Sequence, residues 1–249
     1  MNNKKLWQEA YWLAKVDLRN NKRALLANTL FNMYIAFTLY SMSTFLPSKE
    51  DSHSVLIFTQ IALNFFVMAI VPVWGFPISR ALLKCKSNDV YTRKLAYLKT
   101  MPISDKVLIW SRFIQGTLMT CAMALLVFTL YFTALAITGK LTLNLLECAL
   151  FMLVWVGYSL IVSSLYVSWE LTLKGKSYFM MNLILLPIYV VGAIGLWMLL
   201  KQSIWAAIMD GVRNYHVYLP IISLLLGALA IVVSANGLTK RLARRDWHG

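Results

Sequence analysis

FIQGTLMTCAMALLVFTLYFTALAIT, residues 113–138, carries no charged side chain from end to end. An α-helix needs about 20 such residues to cross the roughly 30 Å of hydrocarbon in a bilayer. A spanning β-strand would be about half as long and would alternate apolar with polar side chains, and this run does neither. The helix satisfies every backbone N–H and C=O within the segment, so the run reads as a transmembrane helix.

Five further runs of the same kind lie on either side of it, at approximately 24–46, 55–79, 144–168, 178–200 and 218–239, none with Lys or Arg between its ends. The expected fold is therefore an all-α membrane protein with six transmembrane helices, organised as one domain over residues 1–249. Residues 1–23 form an N-terminal amphipathic segment, 24–239 the six spans and 240–249 a basic tail.

Composition agrees. Of 249 residues 59% are hydrophobic and only 14% charged, with a mean hydropathy of +0.65. The net charge of +14 could point to nucleic acid, but the cations sit in short segments flanking the runs, where topology and anionic headgroups account for them. No recognition module of the usual kinds is present, so nucleic acid is not expected as a partner. Of the 24 Lys and Arg, all but Lys49, Lys140, Lys201 and Arg213 fall in the N-terminal segment, residues 80–112, the Lys174 and Lys176 loop, and the tail. The positive-inside rule then places both termini and the 80–112 loop in the cytoplasm of a multi-pass protein.

The N-terminal residues are polar and amphipathic, and the first apolar run is too long for a signal sequence, so nothing is expected to be removed. Trp7, Ala10, Tyr11, Ala14 and Leu18 fall on one helical face, with Lys5, Glu9, Lys15 and Arg19 pointing away. This is the pattern of a helix lying at the membrane surface, anchored among lipid headgroups by Trp7, Tyr11 and Trp12; a merely solvated helix is the plainer reading. Helix breakers cluster at Pro72, Gly75 and Pro77 in the second run and at Pro187, Gly192 and Gly195 in the fifth. Both helices are expected to kink there, either as pivots or as tolerated irregularities between neighbours.

Reactive chemistry is sparse. His53, His216 and His248 lie in expected loops or the tail, with no metal-ligand spacing, and no carboxylate falls near a bilayer midplane. Cys85, Cys121 and Cys148 form no CxxC and read as free thiols. The runs do hold Asn32, Gln60, Asn64, Gln115, Asn182 and Asn236, which either join helices or line a polar path. An enzyme working in the bilayer is disfavoured.

The longest polar connection, YTRKLAYLKTMPISDKVLIWSRF at 91–113, is longer than a link between two spans requires. Tyr91, Leu95 and Leu98, with Arg93 and Lys94 beside them, form a short amphipathic helix ended by Pro102. Ser104 is placed to cap the following helix, with Asp105 against the positive end of its dipole. The apolar face of Tyr91, Tyr97, Leu98 and Met101 suits either the membrane surface or a docked partner.

Taken together, six spans, an amphipathic elbow before the first and a long basic loop between the second and third, closing on Met101, Pro102, Ile103 and Ser104, resemble the ABC-2 type permeases. These are membrane subunits of bacterial ATP-binding-cassette exporters. The resemblance covers nearly the whole chain, with Met101 where the family signature has Leu and with Asp105, Lys106 and Val107 where Arg-x-Glu often stands. It implies that the loop between spans 2 and 3 is a cytoplasmic coupling helix. Its docking residues for an ATPase subunit would be Tyr91, Arg93, Lys94, Tyr97, Leu98, Met101, Pro102, Ile103, Ser104 and Asp105. It further implies two ATPase copies, a permease homodimer or heterodimer, and residence in the bacterial inner membrane. The chain has no GxxxxGK[ST] to cradle phosphates, so no cofactor is expected in it; ATP and Mg²⁺ belong to the partner. The alternative reading is a membrane scaffold or sensor that docks a cytoplasmic partner through residues 91–106 and transports nothing.

Overall fold

The computed structural model describes residues 3–44, 53–76, 97–98, 100–101, 103–215 and 217–242. Among them all regular structure is helical. In chain order the elements are α1 (Asn3–Asn20), α2 (Lys22–Thr44), α3 (His53–Ile70) with a 3-10 turn (Val71–Gly75), α4 (Asp105–Ile137), α5 (Leu145–Thr172), α6 (Gly175–Leu200), α7 (Ile204–Tyr215) and α8 (Tyr218–Leu242).

Five segments are long and apolar enough to cross a membrane: α3 with its 3-10 turn, α4, α5, α6 and α8. This is the profile of a multi-pass membrane protein. The expected first span, α2, is a helix but is not among them, because Asn28, Asn32 and several Ser and Thr dilute its apolar content. Its faces are nonetheless inverted relative to a soluble helix. Asn28 and Asn32 share the buried stripe with Ile35, Ala36 and Leu39, while Leu30, Tyr34 and Phe37 point outward and are exposed.

The second run ends differently from its expected kink. Regular α-helix stops at Ile70 and continues as 3-10 to Gly75, and the rest of the run, 77–79, lies outside the described residues. The cause is Pro72, which has no N–H to offer the Met68 carbonyl four residues back. Tyr158 Oη from α5 donates to that carbonyl at 2.9 Å, and Ser159 Oγ donates to the Val71 carbonyl at 3.1 Å. Gly75 allows the turn to sit on α4, since a Cβ there would meet Thr120 Oγ1 at 3.0 Å. Pro187, by contrast, lies inside α6 without ending it.

Helix α5 is the centre of the bundle. Its N-terminus is closed by a reciprocal cap in which Asn144 accepts from the Glu147 N–H and Glu147 from the Asn144 N–H. Along α5 runs α8, so close that a Cβ on Gly157 would collide with Ser223, whose Oγ donates to the Val154 carbonyl at 2.8 Å. Helix α6 packs on α3, fastened by Trp197 Nε1 donating to Gln60 Oε1 at 2.8 Å. Between α6 and α8, α7 drives Trp205 into an aromatic cluster, stacked on Trp155 and Phe128 and edge-on to Phe151 and Tyr131. Asp210 and Arg213 stay outside, and Arg213 Nη2 reaches the Thr142 carbonyl at 2.9 Å.

Candidate coupling site at the Arg112 end of the bundle

At the end of the bundle rich in cations, the 97–104 segment feeds directly into α4. Tyr97 and Leu98 are helical. The Tyr97 carbonyl accepts from the Thr100 N–H at 3.2 Å and its Oγ1 at 2.8 Å, and the Leu98 carbonyl accepts from the Met101 N–H at 3.3 Å. The chain then tightens, Ile103 N–H to Met101 C=O at 2.7 Å. Ser104 is the N-cap of α4, accepting from Val107 N–H at 3.4 Å with an extended backbone, and Asp105 occupies the first turn. The α4 start is thus the one the residue pattern requires: a side-chain acceptor for an orphan N–H and a negative charge at the positive dipole end.

The expected docking residues divide. Tyr97 and Met101 are exposed, Ser104 faces outward, and Ile103 and Asp105 are half-buried. Leu98 turns the other way and packs with Leu13 and Trp110 against a buried cluster that includes Leu108, Ile109 and Phe113. Tyr91, Arg93, Lys94 and Pro102 lie outside the described residues. Of the expected anchors in α1, Trp7, Tyr11 and Trp12 are all about half exposed or more, although Trp7 also meets Trp110 with ring centroids 4.7 Å apart. The same helix buries Ala10 and Ala14 completely, so its small residues make the close contact with α4 and its aromatic ones are left outward.

What holds this corner is a charge cluster that residue spacing does not reveal. Arg112 Nη1 lies 3.0 Å from Asp17 Oδ2 of α1 and donates to Gln115 Oε1 at 3.1 Å, while Nη2 lies 3.6 Å from Glu170 Oε1 of α5. All three charged side chains are largely buried, with relative exposures of 17%, 21% and 10% for Arg112, Asp17 and Glu170. At such burial each charge needs its partner, because an uncompensated one would bear the desolvation cost alone. A planar guanidinium can serve two carboxylates from different directions, which a lysine ammonium does less well. Three helices distant in sequence are thereby fixed to one side chain, two turns after the Ser104 cap. The available signal was scarcity: Asp17 and Glu170 are two of only 10 acidic residues, and both stand at the ends of helices on this side.

Among the polar residues in the runs, Asn64 and Gln60 join helices, while Asn32, Gln115 and Asn182 bond within their own. Asn64 Oδ1 accepts from the Ile204 N–H at 2.7 Å, ending one orphan donor at the start of α7, and its Nδ2 reaches the Ala193 carbonyl at 3.4 Å. Gln60 holds Trp197, Gln115 holds Arg112, and Asn182 bonds back to the Tyr178 carbonyl within α6; Asn236 is exposed. Among the described residues no three His, Cys, Asp or Glu side chains converge to hold a metal ion, and Cys121 and Cys148 are free thiols. Ser104 leads directly into a 33-residue helix, which at about 1.5 Å per residue spans roughly 50 Å. Comparison with family models, with curated proteins and with solved structures finds no match to this chain.

Proposed function

We propose that the chain is the transmembrane subunit of an ATP-binding-cassette exporter of the ABC-2 type, driven by a separate ATPase. In this reading α2 is the first of six spans, its Asn-bearing stripe facing protein and its Leu30, Tyr34 and Phe37 face toward lipid. The elbow is α1, lying at the cytoplasmic surface of a bacterial inner membrane, with Trp7, Tyr11 and Trp12 among the headgroups. Two such chains, identical or related, pair with two ATPase copies that bring ATP and Mg²⁺.

One observation supports the proposal: next to the start of α4, Tyr97, Met101 and Ser104 are exposed, Leu98 is turned inward, and Ser104 caps the helix itself. Force applied to Tyr97 and Met101 would pass along α4, and through Arg112 to α1 and α5, without a flexible joint between Ser104 and the span. The residues outside the described set that complete the docking face in this reading are Tyr91, Arg93, Lys94 and Pro102.

Gentle purification from membranes tests it. An ATP-binding protein should accompany the chain in equimolar amount, with ATPase activity in the complex and none in this chain alone. Replacing Tyr97 and Met101 by Asp, with Leu98 kept, removes about 1.5–3 kcal/mol of burial per side chain if each is covered in the interface. Partner capture should fall by well over ~tenfold, while the protein still accumulates in the membrane and Lys49→Asp has no effect. Normal capture and stimulation by the double variant would overturn the coupling role; an accompanying protein without ATPase activity would favour the scaffold reading.

A further inference from the structure

Between α1, the 97–98 turn and α4 lies a cavity of about 290 Å³, measured out to its open mouth. Leu13, Leu98 and Leu108 supply apolar wall, and Asp17, Ser111, Arg112 and Gln115 supply polar groups. Most of those polar groups are engaged. Arg112 is held by Asp17, Glu170 and Gln115 Oε1, and Ser111 Oγ donates to the Leu108 carbonyl at 2.7 Å. Gln115 is different. It is 5% exposed, its Oε1 accepts from Arg112, and its amide nitrogen donates to no described residue. A primary amide carries two N–H donors, and leaving them unmet in so closed a place is costly. The cavity is where a partner can enter.

The level of the cavity in the bilayer follows from α4. Arg112 is the last charged residue before the uncharged stretch 113–137, so the hydrocarbon boundary falls beside it. Trp7 of α1 and Trp110 of α4 meet there with ring centroids 4.7 Å apart, as suits rings at a membrane interface. In a glycerolipid the ester carbonyls occupy this boundary, between the headgroup and the chains. Such a carbonyl accepts hydrogen bonds and carries no charge, and the methylenes next to it suit leucine walls. A phosphate would fit worse, because the guanidinium is already shared by two carboxylates and one of them, Asp17, lines the same cavity.

We propose that this cavity holds an ester carbonyl of a membrane glycerolipid, accepting from Gln115 Nε2, with the adjoining methylenes against Leu13, Leu98 and Leu108. Its volume stands at the small end of ligand pockets, so it takes the ester region and leaves headgroup and chain ends outside. A bound lipid then fills the space beside Leu98, next to the exposed Tyr97 and Met101. That such a lipid steadies the docking of an ATPase rests on the exporter reading; that the cavity takes an ester does not.

The test compares dihexanoylphosphatidylcholine with its dihexyl ether analogue, which keeps the headgroup and chain length but has no ester carbonyl. Binding of each to the purified full chain in detergent is counted by native mass spectrometry. The first ester lipid should bind about 2–10-fold more tightly than the first ether lipid, the range one neutral hydrogen bond provides. Gln115→Glu keeps an acceptor for Arg112 but removes the donor, and should abolish the preference. Leu98→Trp fills the cavity with the donor intact, and should abolish it too. Equal affinities in the unaltered chain, or a preference that survives either substitution, overturn the proposal. Glycerol triacetate, a soluble ester, separates the two sources of the carbonyl. It should leave the lipid in place at equal concentration; displacement would make a soluble ester the occupant and overturn the lipid assignment. Failure to capture an ATPase would sink the exporter reading and leave the ester preference standing.

Discussion

Helices α5 and α6 are consecutive, similar in length and alike in apolarity, with mean hydropathies of 2.1 and 2.4 over their most apolar windows, yet 56% of one window is buried and 11% of the other. Apolarity does not sort helices in a bilayer, because lipid tails are as apolar as leucine; close approach and hydrogen bonding do. Helix α5 carries Gly157, Ser159, Ser163 and Ser164, which admit α8 and the 3-10 turn. It also carries Phe151 and Trp155, which receive Trp205. Helix α6 shows Leu183, Ile184, Ile188 and Val191 to the outside and contributes few such groups inward. The difference lies in the small and hydroxylated residues, and in where they point.

The sharpest way to break the contrast is one methyl group placed in each helix. Gly157→Ala in α5 puts Cβ into Ser223 backbone and should cost more than about 3 kcal/mol, seen as loss of a monodisperse peak in detergent or a large drop in the unfolding midpoint. Gly195→Ala in α6 meets nothing within 4 Å and should be neutral or stabilise by up to about 1 kcal/mol. A smaller effect is expected from Tyr158→Phe, which strips the donor from the Met68 carbonyl and should cost about 1–3 kcal/mol, read by the same melt. Least of all, Gln60→Leu releases Trp197 of α6 and should cost about 0.5–1 kcal/mol. A larger loss for Gln60→Leu than for Tyr158→Phe would reverse the ranking of the two helices.

The long apolar runs made the helices legible, and the Ser104 cap with Asp105 fixed the start of α4 from four residues of local chemistry. Pro72 marked the right place but not the right event, since the form of the break depends on Tyr158 and Ser159 from another helix. The inverted faces of α2 show only in the structure, where Asn28 joins Asn32 on the buried stripe, and summed hydropathy hides them. Leu98 could not be separated from Tyr97 and Met101 by periodicity, because what draws it inward is Leu13 and Leu108, supplied from α1 and α4. The Arg112 cluster lay beyond local reading for the same reason: Asp17 is 95 residues away, and no spacing rule connects them.

The bond from Tyr158 to the Met68 carbonyl also bears on how the chain is made. Its partners are 90 residues apart, which at about 5–20 residues per second separates their synthesis by roughly 5–18 s. Through that interval the end of α3 has a carbonyl that its own helix cannot serve with a Pro72 N–H, and lipid offers no substitute. Until α5 is made, that carbonyl lacks the partner it has in the folded protein. In the folded protein a helix made later completes one made earlier.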